Sequence, residues 1–215
     1  MLIGFFLFSD ANRMMAYDKC HEKHHQIYRV ISNNTPYENF KQPLLPYILA
    51  STVKQDFPEV EKTARYTILT NMLAKVAVKK GDEFINEELF YCADQELFDI
   101  LTLPILTKIS DEFLSEPDFV VLSKDMAEKY FMGLNPVGKF LEIRTMDKIR
   151  QLRISAVMEN LPNNSTFQAD FIASTDLYLD MMRRYNSDVE ETKQSWTIDQ
   201  FNMLVLLKKG IPKSV

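Results

Sequence analysis

Apolar residues recur at four-residue steps between Gln42 and Phe57, where Leu45, Leu49, Val53 and Phe57 align and Ile48 and Thr52 widen the stripe. That period puts them on one face of a helix, and Pro58 stops it. Pro43 and Pro46 fit only the first turn of such a helix, where a missing N–H is tolerated. Beyond Pro58 the pattern changes to β-favouring runs at Thr63–Leu69, Leu73–Lys79 and Phe84–Cys92. Lys80–Gly81–Asp82 separates the last two and predicts a hairpin. Upstream, Ile27–Ile31 also favours a strand, so the first third reads strand, helix, strands, the local pattern of an α/β sandwich.

The remaining chain alternates in the same way. Asp94 is placed to cap a short helix running to Leu101. Leu103–Leu106 contains a proline, and Phe119–Leu122 reads as a strand. Ser123 caps a helix over Lys124–Phe131, which Gly133 and Asn135–Pro136 end. Phe140–Arg144 and Leu152–Val157 read as strands joined through a charged turn at Asp147–Lys148. Asn160–Ser165 is rich in turn residues, and Phe167–Ala173 is mixed. Asp176–Arg184 predicts a helix and Tyr185–Lys193 a charged surface loop. Gln200–Leu207, with its run of Met203–Leu207, is the last predicted strand. The fold class expected is α+β.

At the start, Met1–Phe8 is an uncharged apolar run. A bilayer crossing needs roughly 20 apolar residues, so this run does not span. It also lacks the basic start and small-residue cleavage site of a secretory signal. It reads either as a buried strand or short helix, or as the outer end of a transmembrane helix. Asp10–Tyr28 behind it is polar and helix-compatible.

Composition narrows the classes of function. Fifteen Phe and nine Tyr against five Gly in 215 residues argue for packed cores and against a disordered linker. Net charge is −5, and the basic residues are scattered among acids. Gripping nucleic acid needs a concentrated basic surface, so no such partner is expected. Cys20 and Cys92 form no CxxC; one bridge across a long loop is the alternative to the expected reduced pair, with Cys92 a small hydrophobe in a strand and Cys20 near a helix end.

Catalytic patterns are scarce. The three histidines, His21, His24 and His25, fall in the string His21–Glu22–Lys23–His24–His25, which formally satisfies the zinc-protease spacing. On a helix, His21 and His25 would share one metal, but the segment is thinly apolar and no histidine elsewhere supplies a third ligand. Solvated histidines are the expected outcome. No G-x-S-x-G elbow or phosphate-binding glycine loop is present. Asn163–Asn164–Ser165 is sequon-like but reads as a surface turn, and Asn135–Gly138 as a turn that shapes the backbone. Tyr47, Phe113 and Phe119 are candidate partner-facing aromatics, with core burial as the equal alternative. No catalytic, cofactor-binding or metal site residue is therefore assigned.

Several strings together resemble one family. Tyr17–Asp18–Lys19–Cys20–His21–Glu22, running on to Gln26–Val30, resembles the opening that follows the first transmembrane helix in Bacteroidota-type permeases. Asp56–Glu61, Tyr91–Asp94, Leu97–Ile100 and Ser115–Pro117 resemble later segments of the same proteins. So do Val120–Ser123, Met126–Phe131, Asn135–Lys139, Asn160–Phe167 and Met203–Gly210. Order and spacing agree from Tyr17 to Gly210. The departures are Cys20, where an aromatic is usual, and Met132 before Gly133. The chain thus resembles the periplasmic core domain of a MacB/FtsX-like ABC transporter permease.

That resemblance implies a two-lobed domain without an enzymatic site or cofactor. Residues 1–9 would be the end of the first transmembrane helix. Residues 10–75 and 159–215 would form a porter-like α/β lobe, and 76–158 an inserted mixed lobe. It implies a location in the periplasm, anchored to the inner membrane by a helix before Ser9 and three more beyond Val215. A cytoplasmic ABC ATPase would supply energy, and the domain would relay the movement to a substrate, a periplasmic adaptor or an envelope partner. A permease dimer is the implied assembly. The competing reading is a periplasmic sensor or solute-binding module, which would need a concave pocket with converging polar groups.

Overall fold

The computed structural model describes residues 17–32, 43–69, 75–145, 148–183 and 188–211. The expectation that residues 1–9 end a transmembrane helix lies outside them, and no helix among them is long and apolar enough to cross a membrane. Twelve strands are found there: β1 (Ile27–Val30), β2 (Leu45–Pro46), β3 (Val60–Ile68), β4 (Val76–Lys80), β5 (Glu83–Glu87), β6 (Phe90–Ala93), β7 (Ile105–Lys108), β8 (Phe119–Ser123), β9 (Phe140–Thr145), β10 (Lys148–Met158), β11 (Phe171–Ser174) and β12 (Asp199–Leu207). Five helices join them: α1 (Leu49–Asp56), α2 (Leu97–Ile100), α3 (Lys124–Phe131), α4 (Thr175–Met182) and α5 (Val189–Gln194).

All the strands belong to one mixed sheet of order β1-β12-β3-β6-β11-β8-β10-β9-β4-β5, with β2 added on β12 and β7 on β10. The fold is α+β, as the sequence predicts. β6–β11 and β8–β10 are parallel; the other pairs are antiparallel. The predicted hairpin forms between β4 and β5, with Gly81 at φ 61°. That backbone region is strained for any residue with a Cβ, which explains a glycine at the tip.

Both sheet faces are buried, and strand alternation divides the apolar residues between them. Val120, Leu122, Phe90, Phe171 and Ile154 face a core covered by α4 and α5, with Met126, Tyr130 and Phe131 of α3 at its edge. Val121, Ile172, Leu204 and Leu206 face a second core with α2 and the loop carrying Phe113 and Leu114. A third, smaller cluster joins Met203 and Val205 of β12 to Leu45 and Ala50. β10 serves both large cores because its register with β8 shifts between Ile154 and Ala156. With the extra residue Ser155 inserted, Leu152 and Ile154 face one core while Ala156 and Met158 face the other. Ser155 is fully buried, and its hydroxyl donates to the Val120 carbonyl at 3.2 Å.

Several local expectations need correction. The helix expected over Gln42–Phe57 starts at Leu49, because Leu45–Pro46 pairs with β12 instead. The run Phe84–Cys92 splits after Glu87, since β5 pairs with β4 whereas β6 lies between β3 and β11. β7 was not expected beside Pro104; its pairing with the end of β10 creates it. The stretch read as a charged loop contains α5, which buries Val189 and Thr192 and is capped by the Asp188 side chain on the Glu190 N–H. Asp94 accepts the Leu97 N–H through its backbone carbonyl only, and its carboxylate goes elsewhere. Ser123 does cap α3, accepting the Met126 N–H at 3.4 Å.

Candidate functional site

Residues 17–26, expected to be helix-compatible, are a succession of turns that packs on the body of the domain. Asp18 adopts φ 59° and donates its N–H to the Asn164 carbonyl at 2.9 Å. Its carboxylate accepts the Thr166 N–H at 2.7 Å on one oxygen and the Thr166 hydroxyl at 2.6 Å on the other. Three residues on, His21 is only 2% exposed. Its Nδ1 accepts the Thr102 N–H at 3.2 Å, which leaves Nε2 to carry the proton and donate to Ser165 Oγ at 3.2 Å. Glu22 donates its N–H to Thr102 Oγ1 at 2.8 Å. These bonds clamp the entry segment to two remote loops.

The clamp uses up the zinc-like string. His21 has both ring nitrogens engaged, and His24 Nδ1 donates to the His21 carbonyl at 3.0 Å. His25 is exposed and lies against the His24 ring with centroids 3.7 Å apart. Without a helix, His21 and His25 do not share a face. No group of three potential metal ligands occurs among the described residues.

Burial holds the His21 imidazole below the ordinary histidine range, and the Asp18 carboxylate 4.0 Å away only partly offsets this. Protonation would also put a proton on the nitrogen that accepts from Thr102. The folded state therefore prefers neutral His21, and its stabilising contribution is complete above the unfolded value of about 6.5. It is lost as pH falls from there through the lower folded value. Thermal melts from pH 7.5 to 5 should show an acid-side loss of Tm that is smaller in His21→Gln. Parallel curves for the two proteins would disprove this role.

Beside the clamp lies an open cleft of about 530 Å³. Ile27, Ile68, Leu101 and Leu204 form its apolar walls. Tyr66, Tyr91 and Phe167 line it with rings, Phe167 standing edge-on to Tyr66 at 5.5 Å. Arg29 and Asn202 sit side by side in the lining, bonded through Arg29 Nη2 and Asn202 Oδ1. Burial raises the phenol pKa of both Tyr66 and Tyr91, keeping the hydroxyls protonated.

Two further polar clusters are structural in character. The Asp94 carboxylate receives Arg65 Nε at 2.7 Å, and the Arg65 guanidinium lies 3.5 Å from the Tyr47 ring centre. Glu87 accepts from Lys129 Nζ at 2.6 Å and from the Tyr130 hydroxyl. Burial and this carboxylate push the Tyr130 phenol pKa well up. The candidate aromatics separate accordingly: Phe113 and Phe119 are core residues, and Tyr47 is half-buried under Arg65. Asn135 Oδ1 accepts the Val137 N–H at 3.1 Å, and Gly138, at φ 87°, donates to the Ile154 carbonyl at the bulge. Cys92 is buried with its thiol pushed up to about 12, while Cys20 is half-buried; both are free thiols.

Sequence reasoning missed Asp18, Thr102, Ser165 and Thr166 as a functional set. Yet Asp18 and His21 lie in one of the strings quoted above, and Ser165 and Thr166 in another. Their spatial union makes those two strings a single device, and the profile of the MacB-like periplasmic core domain matches the chain over residues 1–213. The chain belongs to that family.

A MacB-like periplasmic core domain is the periplasmic part of an ABC transporter permease. No curated protein matches this sequence. Solved structures similar in fold include the following three. A domain of a permease protein from Porphyromonas gingivalis superposes with a TM-score of 0.68 at 19% identity, over 89% of this chain and 79% of that one. The periplasmic region of MacB from Actinobacillus actinomycetemcomitans gives 0.59 at 11% identity, over 93% and 80%. The extracellular domain of the noncanonic ABC-type transporter YknZ from Gram-positive bacteria gives 0.52 at 13%, over 86% and 83%. The MacB-like domain described here thus shares its architecture with a permease-protein domain, a periplasmic region and an extracellular domain.

Proposed function

We propose that this domain relays movement, driven by a cytoplasmic ABC ATPase, from the inner membrane to a substrate, an adaptor or another envelope partner. The observation that carries the reading is the clamp of Asp18 and His21 on Thr166, Ser165 and Thr102. A segment entering the domain must be fixed to it if displacement is to pass on without slack. Immediately after the clamp the chain enters β1, whose first residue pairs with Leu206 near the end of β12. Entry and exit strands therefore lie side by side in the sheet. In this reading residues 10–75 and 159–215 receive the movement and residues 76–158 present it. β11 of the former lies between β6 and β8 of the latter, which couples the two parts through backbone hydrogen bonds. A dimer of permeases would present two such domains together.

The test uses the intact permease with its ATPase in membranes. Hydrogen exchange over the β4–β5 hairpin should change on adding ATP. In Asp18→Ala/Thr166→Val, ATP hydrolysis should persist while that change shrinks about 10-fold, the scale of an ordinary coupling between sites. An ATP response of equal size in the variant would refute the relay through this clamp.

A further inference from the structure

We propose that the cleft on the sheet face formed by β1, β12, β3 and β6 is a binding site for a small amphipathic anion: an apolar body bearing one carboxylate. This goes beyond the relay reading and does not depend on it. The volume of about 530 Å³ lies within the range of small-molecule sites. Its walls are apolar and its ring cluster is preformed, with Tyr91 and Phe167 centroids 5.0 Å apart. An apolar body would bury against these surfaces without rearranging them.

The polar groups on the lining are unbalanced in one direction. The Tyr66 and Tyr91 hydroxyls make no hydrogen bond to the described residues, and both stay protonated, so each has an O–H free to donate to a guest in the cleft. Arg29 forms one hydrogen bond, to Asn202, and no ion pair with the described residues. Its remaining N–H groups match a carboxylate in geometry and charge. Asp18 is the one carboxylate on the described lining, and Thr166 already occupies both of its oxygens. Among the described lining residues, Arg29 and the two phenols thus keep N–H and O–H groups to donate, whereas both oxygens of Asp18 are already bonded to Thr166. A neutral apolar guest would leave those donors without partners, which disfavours it.

Calorimetric titration of the 215-residue chain with octanoate tests the assignment, with 1-octanol and octyl phosphate as companion ligands. Octanoate should bind saturably at one site per chain, and 1-octanol about 10-fold more weakly. Arg29→Gln should weaken octanoate about 10-fold while leaving 1-octanol unchanged, and Tyr91→Phe should weaken octanoate with its ring retained. Arg29 is exposed, so its variant is expected to keep the wild-type melting curve. Absence of saturable octanoate binding, equal affinity for 1-octanol, or an unchanged affinity in Arg29→Gln would overturn the proposal. Tighter binding of octyl phosphate would overturn the carboxylate assignment and point to a phosphate headgroup.

Discussion

Asp94→Ala is expected to lower the unfolding free energy by about 3–5 kcal/mol, the cost of stranding a buried charge. The Asp94 and Arg65 side chains are only 9% and 16% exposed. Asp94 receives four hydrogen bonds: from Arg65 Nε at 2.7 Å, Arg65 Nη2 at 3.2 Å, the Arg65 N–H at 2.9 Å and the Thr175 hydroxyl at 3.0 Å. It thereby joins β3 and β6 to the start of α4. Removing it leaves the guanidinium facing Tyr47 without a counter-charge. Replacing both partners, Arg65→Met with Asp94→Leu, should cost less than the single change, because the stranded cation disappears. Urea midpoints for the three proteins decide the matter. A single-variant loss below about 1 kcal/mol would put the pair with ordinary surface bridges.

Phe171→Ala should cost about 3–5 kcal/mol through lost burial and the cavity left behind. Phe171 and Phe90 are directly paired across β11 and β6, and their rings stack 5.1 Å apart at 7°. Both are completely buried, and the Tyr130 ring approaches Phe171 edge-on at 6.2 Å. Phe140, by contrast, is 59% exposed, and its alanine variant should stay within about 0.5 kcal/mol of wild type. Equal destabilisation by the two changes would mean that the core does not sit on this stack.

The parts of the fold visible in the sequence were those set by short-range chemistry. A glycine at the β4–β5 tip, a serine before α3 and the apolar run of β12 act within a few residues of themselves, so pattern reading finds them. β7 escaped because its four residues acquire strand geometry only by lying along β10. α5 escaped because Val189 and Thr192 are its sole buried residues in a charged surrounding. The face change in β10 depends on a bulge that no periodicity announces. At the candidate site the difficulty was greater. His21 sits in a polar string that suggests solvent or metal, yet its partners lie 81 and 144 residues away. The family resemblance alone connects the string around His21 with the string around Ser165.

β12 is the last strand among the described residues, yet it lies between β1 and β3, two of the earliest. Neither early strand can gain that neighbour until Asp199–Leu207 has been made. Contacts across such a long stretch of chain form slowly, and strand edges waiting for a partner invite aggregation. A polypeptide emerging in order from its N-terminus would therefore stay vulnerable until β12 arrived. A holding factor able to shield β1 and β3 in the interval would raise the yield of folded protein more than one acting after β12 has inserted.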